Sequence, residues 1–297
     1  MASLLLGWWL ACLWPQPAMA AACTGLPQPL LPLGADVWWL PSATGDSQAA
    51  NRGQVSNLLL VRQGRGATAR VWALGSGPSP AWGRALACQV RRQLGSRVTD
   101  VVSPWARPEL VLGVAGFRQA GQAGQAGPGR LPLRHWAHAA VAAAMAAQCP
   151  HCVDRLRLRL GTAAADLGDD PIRLPDQLLQ GDQGQLGPFD WWRLPRSAGR
   201  WVTVWRLAGA GQAPLWAAHG LLQGAGPPDG RDADLALLQQ SSAQLVALAA
   251  ADGPAARFVG EQGPLLPAQA PAQHARYWAD LRATAEAAVL RGDDETA

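Results

Sequence analysis

The chain has 297 residues, 49% of them hydrophobic, and a formal net charge of +4 at neutral pH. That length gives one large α/β domain or two small ones, with enough apolar residues for a substantial core. The sequence has no Lys, and its Arg are scattered rather than gathered into a basic stripe with interleaved aromatics, which argues against nucleic-acid binding.

The chain opens with an apolar run from Leu4 to Trp14, closed by Ala18-Met19-Ala20. This is the pattern of a secretory signal with a small-residue cleavage site. It is too short to span a bilayer comfortably, and no later segment is a membrane-span candidate. The expected division is a signal peptide over residues 1–22 and one domain over 23–297, in a periplasmic or secreted protein. The three Ala before Cys23 make a poor lipidation signal.

Short apolar runs then alternate with helical patterns. Asp36 to Leu40, Asn57 to Val61 and Ala69 to Leu74 read as strands bounded by Gly, Ser and Arg. A Gly- and Ser-rich turn leads to a helix from Pro80, with Trp82, Leu86, Val90 and Leu94 on one face. A strand ends at Val102. Gly116 to Arg130, with its Ala-Gly-Gln repeat, reads as a surface loop. Arg134 to Ala147 and Asp154 to Leu160 read as helices, placing His135 and His138 on one helix face.

Strands are expected at Ile172 to Leu174, Phe189 to Leu194, Trp201 to Leu207, Pro214 to Ala218 and Arg257 to Gly260. One helix carries Leu235, Leu238, Leu245 and Leu248. A terminal helix from about Ala272 to Arg291 carries Trp278, Leu281, Ala285 and Val289 in a stripe. This alternation argues for a layered α/β domain.

Cleavage of the signal leaves Cys23, Cys88, Cys149 and Cys152, an even number that favours disulfides after export. Cys149-Pro150-His151-Cys152 has the spacing of a redox motif or half a zinc site, for which His135 and His138 are the nearest further ligands. It follows an Ala-rich helix rather than a strand, so a local Cys149–Cys152 disulfide is the expectation. Cys23 and Cys88 then pair or stay free.

The segment Ser103-Pro104-Trp105-Ala106-Arg107-Pro108-Glu109-Leu110-Val111-Leu112-Gly113 follows a strand and leads to Phe117. It resembles the Thr-His-x-His-Pro-Asp-His-x-x-Gly loop of the metallo-β-lactamase superfamily, with Trp105, Arg107 and Leu110 at the histidines and Glu109 at the aspartate. Zinc takes neutral imidazole, thiolate or carboxylate. Indole nitrogen only donates, Arg stays protonated and Leu has no donor atom.

The resemblance runs from about Asp36 to Val289 and is closest to exported quinoprotein relay system zinc metallohydrolases. Val71 to Ser79 with Gly83-Arg84-Ala85-Leu86 is similar to their Ile-Asp-Thr-Gly-x-Ser turn and helix, without the Asp. Pro195 to Arg200 parallels an Ala-His-Thr-x-Gly-Asp segment, with Arg196 at the His. Trp216 to Gly220 parallels Phe-Ala-Gly-Asp, with His219 at the bridging Asp. Val259 to Pro264 resembles Val-Pro-Gly-His-Gly-Pro, with Gln262 at the last His.

The resemblance implies a four-layer αββα sandwich. Relatives bind zinc and use metal-bound water as nucleophile; for this chain no cofactor and no catalytic residue is expected. Two function classes follow. The first is a non-catalytic binding or accessory protein associated with periplasmic quinoprotein (PQQ-dependent) dehydrogenases or their electron-relay partners. Its converted pocket would offer Arg107, Arg196 and His219 to an anion. The second is a metal-dependent hydrolase with a relocated site drawing on His219, Glu109 and Asp229 or Asp232.

Overall fold

The computed structural model describes Cys23 and residues 29–122, 131–209 and 213–292. The expected signal peptide lies outside the described residues, as does most of the Ala-Gly-Gln repeat.

Two sheets form the centre. The first has seven strands in chain order: β1 (Leu31–Gly34), β2 (Val37–Leu40), β3 (Leu58–Gln63), β4 (Arg70–Leu74), β5 (Asp100–Val102), β6 (Arg134–His138) and β7 (Gln177–Leu179). β1 to β4 pair antiparallel, and β4 to β7 are parallel. The second has six, in the order β13 (Leu266–Pro267), β12 (Arg257–Val259), β11 (Leu215–Ala217), β10 (Arg200–Leu207), β9 (Phe189–Ser197) and β8 (Gln183–Leu186). Only β11 and β12 run parallel there.

Among the described residues six α-helices flank them: α1 (Pro80–Leu94), α2 (Pro108–Val111), α3 (Val114–Gln122), α4 (Ala139–Leu160), α5 (Leu235–Ala249) and α6 (Ala270–Arg291). Three apolar clusters mark the interfaces between four layers. One joins the first sheet to α1, α3 and α4 through Trp82, Leu86, Val141 and Met145. The second lies between the sheets, where Trp72 meets Phe189 edge-on at 6.3 Å and Phe189 meets Trp205 edge-on at 5.9 Å. The third joins the second sheet to α5 and α6 through Leu238, Leu245 and Trp278. This is the expected αββα sandwich.

Local sequence explains the helix ends. Ser79 accepts a hydrogen bond from the Trp82 amide at 3.1 Å with Pro80 in the first turn, and left-handed Gly95 closes α1. Asp234 caps α5 by accepting from the Ala236 and Leu237 amides. α1 also approaches the 103–113 segment main chain to main chain. A Cβ on Gly83 would overlap the Gly113 carbonyl, and one on Gly113 would overlap the Ser76 carbonyl.

Several expectations need correction. Arg134–His138 is a strand, and the helix begins only at Ala139. A parallel strand covered on both faces lacks the alternation that betrays an exposed one, and the following Ala run dominates the pattern. The Gly116–Gln122 part of the expected loop is helical. No strand forms at Ile172–Leu174; β7 lies slightly downstream, at Gln177–Leu179. In the α6 stripe Trp278 is buried, but Leu281 and Val289 are exposed.

The disulfide expectation holds in part: Cys23 bonds Cys88, one of the two outcomes expected for that pair, but Cys149 and Cys152 are thiols rather than a local bridge. Both thiols sit inside continuous α4. Helix positions three apart hold their Cβ atoms ~5–6 Å apart, beyond the ~3.5–4.5 Å a disulfide needs.

Candidate functional site

The site residues come from loops at one end of the two sheets. The 103–107 segment follows β5, His219 follows β11, and Glu261 and Gln262 follow β12. Backbone hydrogen bonds lock these loops together: Asn57 N to Glu261 O at 2.8 Å, and Thr203 N to Pro104 O at 2.7 Å. Of these, the 103–107 segment lines a cleft of about 490 Å³ between α4, the β9–β10 hairpin and residues 229–232.

Arg107 occupies its floor. Its Nε lies 3.3 Å from Glu109 Oε2 and 3.7 Å from Glu261 Oε1, and an Nη lies 3.4 Å from Asp229 Oδ2. Burial alone favours loss of the guanidinium charge. The Glu261, Glu109 and Asp229 carboxylates outweigh it and hold the proton more firmly than usual. Burial also pushes the Asp229 carboxyl up, but hydrogen bonds from Arg231 and the charges of Arg107 and Arg231 bring it down to about 2.

The carboxylates have further donors. Glu109 accepts from Ser47 Oγ at 2.7 Å. Glu261 accepts from Ser56 Oγ, from Trp105 Nε1 at 3.0 Å and from the Gly220 amide at 3.0 Å. Two guanidiniums lie over the Trp105 ring, with the Arg107 and Arg196 carbons 5.6 and 4.8 Å from its centroid. Arg196 is buried and donates to the carbonyls of Gly220 at 2.6 Å, Asp229 at 2.8 Å and Arg231 at 3.3 Å.

Of the expected positions, Trp105, Arg107, Glu109 and Arg196 meet at the cleft. Leu110 does not: its side chain is fully buried in the helix-facing core. His219 is also fully buried and outside the cleft lining, with Nε2 donating to the Asn57 carbonyl at 2.8 Å. Burial lowers its pKa. Gln262 turns away to make a paired amide contact with Gly45, at 2.9 and 3.1 Å. The anion set of Arg107, Arg196 and His219 is therefore not gathered in one pocket. The two Arg line the cleft but are engaged by internal partners.

His135 and His138 take separate structural roles. His135 Nε2 pairs with Ser103 Oγ at 2.8 Å, while His138 Nδ1 accepts from the Ala140 amide and caps α4. Neither approaches the Cys149 and Cys152 segment as a ligand set; among the described residues no group of three or more His, Cys, Asp or Glu is placed to hold a metal ion.

Sequence reading missed Glu261, although it stands beside Gln262. A lone acidic residue between two Gly-flanked apolar turns was the available signal. It also missed the cationic wall on α4, where Arg155 and Arg159 follow Cys152 at helical spacing.

Among solved structures, the metallo-β-lactamase FIM-1 from Pseudomonas aeruginosa in its mono-zinc form matches 86% of this chain and 96% of its own, at 16% identity and a TM-score of 0.61. A metallo-β-lactamase from Hirschia baltica matches 85% and 98%, at 11% identity and 0.59. One from Erythrobacter litoralis, with β-mercaptoethanol in its active site, matches 84% and 96%, at 15% identity and 0.60. The chain has the metallo-β-lactamase fold. No protein-family model and no curated protein matches the sequence.

Zinc, the metal of the FIM-1 structure, does not fit the donors found here. The three nearest carboxylates share a fixed cation, Arg107. His219 Nε2 is committed to a carbonyl, and although its Nδ1 has no hydrogen-bond partner, no second imidazole or thiolate among the described residues is placed with it to hold a metal ion. A divalent ion beside the Arg107 guanidinium would face like charge at close range.

Proposed function

We propose that this chain is an exported binding or accessory protein on a hydrolase scaffold whose zinc ligands have been replaced. One observation carries the reading: the Arg107 guanidinium spans Glu109, Glu261 and Asp229 at 3.3–3.7 Å and supplies the positive charge of the floor. Export is supported by the signal-like N-terminus and the Cys23–Cys88 disulfide. Among the described residues no helix is long and apolar enough to cross a membrane. The resemblance to quinoprotein relay system metallohydrolases supports a role beside periplasmic PQQ-dependent dehydrogenases or their electron-relay partners.

Metal analysis by mass spectrometry, on protein purified without chelator, tests the reading. Zinc far below one equivalent per chain is expected. Stoichiometric zinc that disappears on changing His219 or Glu109 would overturn the reading in favour of a relocated hydrolase site.

A further inference from the structure

The floor of the cleft is internally matched, but its walls are not. Six Arg line the cleft with the carboxylates Glu109, Asp229 and Asp232; with Glu261 beside Arg107 and Asp46 beside Arg159 and Arg231 counted, the formal excess is one positive charge, and it lies on the walls. Arg107 and Arg196 belong to the buried floor. The other four, Arg155, Arg159, Arg200 and Arg231, stand on the walls.

Arg231 is held by Asp229 through two hydrogen bonds of 3.0 Å, and the partners of the other three are few and solvent-exposed. Arg155 reaches Cys152 Sγ at 3.4 Å and makes no ion pair among the described residues. Arg159 is 4.0 Å from Asp46, whose side chain is 66% exposed and is shared with Arg231 at 3.4 Å. Arg200 lies 3.5 Å from the exposed Asp232. Such exposed pairs contribute little, on the order of 0–1 kcal/mol, and are easily exchanged for a better-placed anion.

We propose that the cleft binds a small polyanion, a molecule carrying two or more carboxylate or phosphate groups, between Arg155 and Arg159 on α4 and Arg200 and Arg231 opposite. Guanidiniums on facing walls suit a ligand with separated anionic groups, each taken in bidentate fashion. The volume of about 490 Å³ lies within the ~300–1,000 Å³ of small-ligand sites. Cys152 lines the same cleft, so its thiol reports occupancy. The inference deepens the binding reading, and metal analysis on the same preparation separates the two.

The experiment follows modification of Cys152 by a neutral aromatic disulfide, with Cys152→Ser as the background. Rates are compared in chloride, citrate and pyrophosphate at equal ionic strength. Citrate or pyrophosphate should slow labelling severalfold and raise Tm, and the stronger of the two assigns carboxylate or phosphate. In R155A/R159A, both at exposed helix positions, the apparent affinity should weaken at least about tenfold, the worth of one charge-assisted hydrogen bond. Equal rates in all three salts, or protection that survives in R155A/R159A, would overturn the proposal whatever the zinc content.

Discussion

Two buried Arg–carboxylate clusters sit in this molecule with opposite polarity. In the first sheet the fully buried Asp100 is the centre. It accepts from Arg70 on both oxygens, from Arg134 Nε at 3.1 Å, from Trp136 Nε1 at 2.9 Å and from Thr99 Oγ1 at 2.8 Å. Its Arg partners keep 26% and 36% of their side chains in solvent. In the cleft floor the centre is the cation, Arg107, only 11% exposed, and carboxylates surround it. An anion ringed by solvent-reaching Arg makes a structural clamp across neighbouring strands. A cation ringed by carboxylates occupies the kind of position that other chemistry would give to a metal ion.

Removing each centre tests that contrast. Arg107→Ala should cost about 4 kcal/mol, because it leaves largely buried carboxylates facing one another without compensation. Chemical denaturation measures the loss. Calcium should recover part of it in the variant and leave the parent unchanged. A loss below about 1 kcal/mol, the size of an exposed pair, would break the comparison.

Asp100→Asn should cost less, about 2 kcal/mol, the scale of charge-assisted hydrogen bonds weakened to neutral ones, since its stranded Arg can turn to water. If Asp100→Asn proved the more damaging of the two, exposure of the partners would not be what ranks the clusters.

Acid titration should show an upper loss, to which His135 contributes with the other His held neutral by burial, and a lower one to which Asp229 contributes with Asp252. Burial holds His135 neutral down to about 4, against 6.5 when unfolded. The unfolded chain binds the proton first, so this stability is full above pH 6.5 and declines as pH falls toward 4. Asp229 is held down to about 2, against 3.8 unfolded. Its contribution is full above pH 3.8 and is lost as pH falls toward 2. Asp229→Asn should flatten the lower step and leave the upper one in place, read as Tm against pH. A single merged step that Asp229→Asn abolishes would assign both to the floor.

The fold was largely legible because its signals are local. Ser79 and Pro80 announce α1, and the Val, Trp and Leu runs of β2, β4, β9 and β10 stand between Gly and Arg breaks. β6 was misread because its burial on both faces comes from layers far away in sequence. Cys149 and Cys152 misled because their spacing resembles a pairing motif, while an uninterrupted helix keeps them apart. In the site, loop motifs located Trp105, Arg107, Glu109 and Arg196 but not their partners. Glu261 is 154 residues from Arg107 by numbering, and nothing local shows that the two form an ion pair. Leu110 and Gln262 followed the motif in sequence but point elsewhere.

The contact between Gly83 and Gly113 has a consequence for how such a protein can diverge. Where backbones touch, no side chain is available to be enlarged or trimmed, so the seat of the 103–113 loop rests on Gly83 and Gly113 staying bare rather than on the side chains between Trp105 and Glu109. The side chains from Trp105 to Glu109 are then constrained by one another rather than by the loop's seat, like contents held within a fixed socket. New chemistry can arise there without any strand moving.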